Sequence, residues 1–184
     1  MPRDDNFLKA NNARHVWHPM THPADHLRNP PTIVTGGNGV RITDIDGHEA
    51  VDAVGGLWNV NLGYSCQPVK DAITAQMEKL PYYSIFRGTS NDCVIELTEE
   101  LCDFFEPDGL TRVFYTSGGS DSVETALRLS RQYHKIRGAE GRTKFLSLKK
   151  GYHGTHFGAA SVNGNANFRN VYDPPQQQLL LYRQ

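Results

Sequence analysis

The sequence predicts an α/β protein: an N-terminal arm and a small antiparallel hairpin, then the first part of a parallel sheet with helices on its faces. Three observations carry this. Residues 112–115 and 144–148 read as short apolar strands with a helical stretch between them, and strand–helix–strand order argues a parallel sheet. Apolar and polar residues alternate across 32–54 around Asp46-Gly47, which is a hairpin signal. Residues 65–80 and 91–105 carry apolar side chains at helical spacing.

Taken in order, residues 1–31 are polar, and Pro19, Pro23, Pro30 and Pro31 break any long helix. This stretch reads as an arm that must lie against something larger. In 32–54, Ile33 and Val34 lead to Gly36-Gly37, then Val40 and Ile42, then Val51 and Val54, as expected of a small antiparallel sheet. Ser65 is placed to cap a helix whose face carries Val69, Ala72, Ile73, Met77 and Leu80, and Pro81 stops it. Asn91 is placed to cap the next helix, with Val94, Leu97, Leu101 and Phe105 on one face and Pro107 at its end. After the strand at 112–115 comes a small-residue turn. Then a helix carries Val123, Ala126, Leu127 and His134 on one side and closes at Gly138 near Lys135 and Arg137. The divisions expected are 1–54 (arm and hairpin), 55–174 (start of a large domain) and 175–184 (a divergent tail).

Composition narrows the function classes. With 38% hydrophobic residues, 21% charged residues and a net charge of −1, the chain has no electrostatic bias toward nucleic acid or an anionic membrane. No apolar run reaches the roughly 20 residues of a membrane span, and the N-terminus has no apolar signal core, so a cytoplasmic protein is expected. Cys66, Cys93 and Cys102 fit reduced thiols better than a disulfide framework. His15, His18, His22 and His26 recur at ligand-like intervals, but Pro19 and Pro23 forbid the continuous helix that would align them, so no metal is expected.

The turn Ser117-Gly-Gly-Ser-Asp121 stands between an expected strand and an expected helix. The first N–H groups of a helix lack internal partners and its dipole favours an anion there, so a phosphate would suit. Glycines admit close approach, and Ser120 offers a hydroxyl. A plain loop with Ser120 as a helix cap fits the local pattern equally. No Lys-Ser or Lys-Thr follows, so the turn is not a P-loop; nor is it Gly-x-Gly-x-x-Gly.

Three segments then fall into one register: Gly55-Gly-Leu-Trp-Asn-Val-Asn-Leu-Gly-Tyr64, Phe114-Tyr-Thr-Ser-Gly-Gly-Ser-Asp-Ser-Val-Glu-Thr-Ala-Leu-Arg128, and Gly151-Tyr-His-Gly154. With Trp17-His-Pro-Met-Thr21 ahead of them, they closely resemble the class III aminotransferases of pyridoxal-phosphate (PLP) fold type I, and most of all the ω-amino-acid:pyruvate transaminases. The similarity runs from residue 14 to residue 173. It implies the first part of a fold type I PLP-dependent transferase large domain, incomplete here. It also implies that Gly119 and Ser120 bind the PLP phosphate, that Gly118 shapes the turn, and that Tyr152 stacks on the pyridine ring beside Gly154. Leu57 and Trp58 would line the amino-donor pocket, and Phe86 would wall a pocket across a homodimer interface. The bland alternatives are core packing for Trp58 and Phe86 and ordinary burial for Tyr152. His153 would orient Tyr152 or bond nearby backbone.

The resemblance also shows what is not matched. The family's cofactor-anchoring lysine and its acidic partner for the ring nitrogen lie beyond the Tyr-His-Gly motif, and nothing in this chain matches either. Lys144, Lys149 and Lys150 read as solvated. Asp121 and Glu124 stand at acidic positions of the phosphate helix and are not the nitrogen partner. The expectation is therefore an N-terminal fragment of a transaminase, taking an amino donor and a 2-oxo acid such as pyruvate, with no catalytic residue of its own. Such a fragment is expected to be inactive and poorly folded alone. The alternatives are an interaction module that completes or joins a separate aminotransferase chain, and a phosphate-ligand binder without catalysis. The tail from Pro175, with three Gln and three Leu, looks ill-suited to continuing the fold and suggests a frameshift or premature stop.

Overall fold

The computed structural model describes residues 4–169 and 179–182. The chain divides into two compact units, Met1–Thr89 and Ser90–Gln184.

In the first unit, α1 (Asp5–His15) lies between Pro2 and Pro19, ahead of the four prolines from Pro19 to Pro31. Its start was written in the sequence, although the arm's prolines draw the eye first. Asp4 accepts a hydrogen bond from the Phe7 N–H at 2.7 Å, Asp5 sits in the first turn, and Arg14 and His15 sit in the last. A short α2 (Pro23–Arg28) follows, with the His22 ring capping it by accepting from the Ala24 N–H at 3.2 Å.

The expected antiparallel sheet forms as three strands, β1 (Val34–Asn38), β2 (Arg41–Asp44) and β3 (Glu49–Val51), in the order β1-β2-β3. Gly39 and Gly47, at φ of 57° and 83°, make the turns between them. A single turn, α3 (Gly55–Trp58), and a 13-residue helix, α4 (Gln67–Lys79), complete the unit. Ser65 is not the cap of α4. Its hydroxyl accepts from the Gly39 N–H at 2.6 Å and bonds Asn38, so it ties the helix approach to the β1–β2 turn instead. Pro68, in the first helical turn, sets the start of α4.

In the second unit, α5 (Asp92–Phe104) begins where expected, with the Asn91 side chain accepting from the Val94 N–H at 3.0 Å. The expected strand at 112–115 is absent: the segment has no ladder bonds among the described residues. A strand is stabilised by the strand beside it, and none of the described residues offers one here. The helix after it, α6 (Gly119–Ile136), is the longest element. β4 (Phe145–Leu148), α7 (Phe157–Ser161) and α8 (Ala166–Arg169) follow.

The tail requires a correction. Leu179–Tyr182 forms β5, parallel to β4, with Phe145 opposite Leu179 and Leu148 opposite Tyr182. The pairing continues the sheet from β4, so the apolar run is not ill-suited to the fold. Residues 175–178 and 183–184 of the tail lie outside the described residues. The parallel unit is thus β4–β5, joined by α7 and α8, one step later in the chain than the sequence suggested.

Among the described residues the fully covered apolar core is small: Ala159, Ala160 and Val162, all in or beside α7, which packs on α6. Val69, Ile73 and Met77 of α4 share a face, as their spacing required, but that face is exposed.

Candidate functional site

The first turn of α6 is open. Gly118 is its N-cap in extended backbone, with no side chain capping it, so Ser120 does not play the role of cap. The first helical bond runs from the Ser122 N–H to the Gly118 carbonyl at 3.0 Å. The N–H groups of Gly119, Ser120 and Asp121 meet no acceptor among the described residues. A Cβ placed on Gly118 or Gly119 would meet nothing within 4 Å. The turn is braced from behind: the Thr116 and Ser122 hydroxyls lie 2.6 Å apart, and the Ser122 hydroxyl donates to the Gly118 carbonyl at 3.1 Å. The result is a row of unpaired donors at the positive end of an 18-residue helix.

The loop carrying Tyr152 lies against that turn. Ser120 Oγ accepts from the Thr155 N–H at 3.0 Å, which leaves the hydroxyl proton free to donate outward. Gly154 sits at φ 113°, and a Cβ there would lie 2.6 Å from Ser120 Oγ and 2.9 Å from Ser120 Cα. Only glycine permits this approach. Tyr152 is 57% exposed and meets Phe168 edge-to-face at 5.2 Å between ring centroids. Behind the loop, Glu124 caps α7 by accepting from the N–H groups of Gly158 at 3.1 Å and Ala159 at 3.0 Å. Asp121 pairs with His156 Nδ1 at 3.2 Å. Asp121 and Glu124 thus seat the 151–161 segment on α6. Gly118, Gly119, Ser120 and the Tyr152 loop come together in the second unit.

Leu57, Trp58 and Phe86 belong to the first unit. Gly55, Gly56, Leu57 and Trp58 all take positive φ, from 57° to 71°, so α3 is a left-handed turn. For Leu57 and Trp58 that conformation costs on the order of 1–2 kcal/mol each. Backbone strain of this kind gathers at ligand-binding positions. Leu57 is 71% exposed and Trp58 79%, which removes the core-packing alternative for Trp58 within this chain.

Asp52, which the sequence reading passed over, holds the turn. Its carboxylate accepts from the Val54 N–H at 3.1 Å, the Gly56 N–H at 2.7 Å and the Tyr64 hydroxyl at 2.5 Å. The Tyr64 hydroxyl first, and the Gly56 N–H next, hold the Asp52 carboxyl below the usual range; Asp52 in turn raises the Tyr64 phenol. An Asp three residues before a glycine-rich turn is the sequence signal that would have found it.

Phe86 is 73% exposed, with the Arg87 guanidinium over its ring at 5.6 Å and its N–H donating to Ser84 Oγ at 3.0 Å.

The arm histidines take separate parts. His18 Nε2 meets Asn12 Oδ1 at 3.0 Å, His22 caps α2, and His26 is buried against the His18 ring. Elsewhere Asp44, Asp46 and His48 bring ligand-type atoms within 4.8 Å of one another. They are already used: Asp44 accepts from the Asp46 and His48 N–H groups and from the His48 ring, closing the β2–β3 turn.

An α/β unit that opens a helix N-terminus through two glycines and a serine, with the Tyr152 loop against it, offers N–H donors of the kind that suit an anionic group. Comparison with known proteins takes this further. Residues 23–183 match the profile of the aminotransferase class-III family. An adenosylmethionine-8-amino-7-oxononanoate aminotransferase of Methanocaldococcus jannaschii is 37% identical over 171 residues, covering 93% of this chain and 37% of the relative. A taurine–pyruvate aminotransferase of Bilophila wadsworthia is 34% identical over 175 residues, covering 95% of this chain and 37% of the relative. Among solved structures, a PLP-bound amine transaminase from an uncultivated Pseudomonas species superposes with a TM-score of 0.86 at 44% identity, over 92% of this chain and 38% of that one. The chain belongs to the class-III aminotransferase family, and it spans 37% of the length of these two curated relatives. The match reaches β5, in keeping with the correction made for the tail.

Proposed function

We propose that this chain supplies the phosphate seat and the ring platform of a PLP-dependent transaminase, moving an amino group from an amine or ω-amino acid to a 2-oxo acid such as pyruvate. The observation that carries the reading is the contact between Gly154 and Ser120, which sets the Tyr152 loop against the open turn of α6. The residues fit the group: a dianionic phosphate answers the unpaired N–H groups of 119–121, and a flat heterocycle answers a half-exposed tyrosine. When bound, PLP supplies the electron sink through which an amino group leaves the donor and reaches the acceptor. Gly119 and Ser120 donate backbone N–H groups to the phosphate, and the Ser120 hydroxyl adds a further bond. Gly118 leaves the approach clear. Tyr152 covers one face of the ring and keeps water from it. Leu57, Trp58 and Phe86 wall the amino-donor pocket, with Asp52 holding the first two in place.

In this reading residues 55–174 begin the PLP-binding large domain after the arm and hairpin of 1–54. The protein works in the cytoplasm, as a homodimer once the whole fold is assembled. No lysine here stands at the family's cofactor-anchoring position, so the 184 residues alone are inactive. Titration of the chain with PLP, followed by fluorescence, tests the binding step. Saturable binding is expected, with Ser120→Ala weakening it about tenfold or more through loss of a bond to a charged acceptor. Equal affinity in Ser120→Ala and wild type would contradict the phosphate seat.

The exposed segment from Tyr82 to Phe86 favours a companion reading, in which the chain completes or joins a separate aminotransferase chain. Transamination that arises only when such a chain is added supports it. The absence of any complex on mixing argues against it.

A further inference from the structure

We infer that Asn163 is the positioning residue of the PLP ring platform: it acts on the cofactor through the Tyr152 loop without touching the cofactor itself. The inference deepens the PLP reading above and rests on it. Asn163 is fully buried, at 0% exposure, and is the largest such side chain among the described residues. A primary amide buried this completely is costly unless its donors and acceptor are used. It spends them on the two residues that follow Tyr152. Asn163 Oδ1 accepts from the His153 N–H at 2.5 Å, and Asn163 Nδ2 donates to the Gly154 carbonyl at 2.9 Å.

The surroundings leave Asn163 no freedom to follow the loop if the loop moves. Its own N–H donates to the Ala160 carbonyl at 3.1 Å, and its carbonyl accepts from Arg169 Nη1 at 3.4 Å. Gly164, next in the chain, donates to the Gly151 carbonyl at 3.0 Å, and a Cβ there would run into the Leu148 carbonyl. The pair Asn163-Gly164 therefore grips residues 151, 153 and 154 and leaves Tyr152 as the one member of the loop that it does not bond. Outside the grip, Tyr152 has Phe168 on one side and solvent on the other. The α6 turn does not depend on this amide, because its bracing comes from Thr116 and Ser122. Asn163 thus sets the ring platform, while the N–H groups of the phosphate seat keep their own bracing and meet the platform through the Thr155 bond to Ser120.

That separate bracing gives the test. Binding of PLP and of inorganic phosphate is measured on wild type, Asn163→Ala, Tyr152→Ala and the double variant. Loss of two hydrogen bonds is expected to weaken PLP about tenfold in Asn163→Ala. Phosphate affinity should fall less than PLP affinity, and Asn163→Ala should add no further loss of PLP affinity to Tyr152→Ala beyond its loss of phosphate affinity. Equal weakening of both ligands, a further loss of PLP affinity beyond that of phosphate in the Tyr152→Ala background, or no change at all would each overturn the inference. Where Asn163→Ala does not fold, the isosteric Asn163→Asp carries the same comparison. Its carboxylate keeps the bond from His153 but repels the Gly154 carbonyl, so PLP affinity relative to wild type should fall as pH rises, and more steeply than phosphate affinity does. A ratio flat with pH overturns the inference. Wild type that binds phosphate and PLP equally would remove the PLP reading itself, an outcome distinct from all of these.

Discussion

The smallest determinant of the site is a missing methyl group. At Gly154 an L side chain meets two obstacles at once, a φ of 113° and the atoms of Ser120. The backbone term alone costs on the order of 1–3 kcal/mol, and the steric term cannot be relieved by a rotamer change because Ser120 Cα is backbone. Gly154→Ala should therefore push the Tyr152 loop off α6 and free the Thr155 N–H from Ser120 Oγ. Faster amide exchange at Thr155, with weaker PLP binding, is the expected outcome; an unchanged Thr155 amide would show that the loop does not need the glycine. Asp52 works in the same way on the other candidate wall, fixing a left-handed turn by three bonds to one carboxylate. The role of Asp52 was hidden in the sequence because its partners, two backbone N–H groups and the Tyr64 hydroxyl, leave no periodic pattern.

Among the elements, the β2–β3 turn shows how local charges respond to pH. The His48 ring is the main cause of the lowered Asp44 carboxyl, and Asp44 is the main cause of the raised His48 imidazole. A raised imidazole stabilises the fold below its ordinary pKa and loses that contribution as pH rises through the raised value. A lowered carboxyl stabilises above its ordinary pKa and loses that contribution as pH falls through the lowered value. Both contribute fully between about pH 4 and about pH 6.5. The Asp46 and His48 amides should exchange most slowly in that window once intrinsic exchange is divided out, and His48→Ala should flatten the profile above it. A profile that stays flat in wild type would remove the ion pair from the account.

The elements also show what a sequence discloses. α4, α5 and α6 were legible because apolar spacing is local, as were the Asn91 cap of α5 and the turn at Gly47, whereas the turn at Gly39 was not singled out and Gly36-Gly37 lies inside β1. The strand at 112–115 was misread because an apolar pattern alone does not make a strand, and none of the described residues pairs with it. β5 was undervalued because an unbroken leucine run looks anomalous until a parallel neighbour explains it. Within the site, the turn 117–121 and Tyr152 were legible from motif order. Asn163 was not, since a buried amide has no periodicity.

Across the whole molecule the dominant fact is uncovered surface. The chain exposes 15064 Å². A globular protein of its 20.6 kDa mass exposes about 9,000 Å², and even two independent bodies of half that mass would expose about 11,000 Å². The excess includes the apolar face of α4 and the Tyr82–Phe86 segment, which are surfaces built to be covered. The isolated chain should bind a hydrophobic dye and self-associate, and both should diminish when a chain supplying the rest of the family fold is added. A monomeric, dye-silent chain would mean that these surfaces close on one another in solution.

The proposed function requires that the open turn of α6 seat the phosphate of PLP. Residue-resolved amide spectra recorded while PLP is added test it most directly. Saturable shifts centred on Gly119, Ser120 and Asp121, with smaller ones at Tyr152 and reversal by excess inorganic phosphate, are the predicted result. Saturable shifts centred elsewhere, with the amides of 119–121 unmoved, would contradict it.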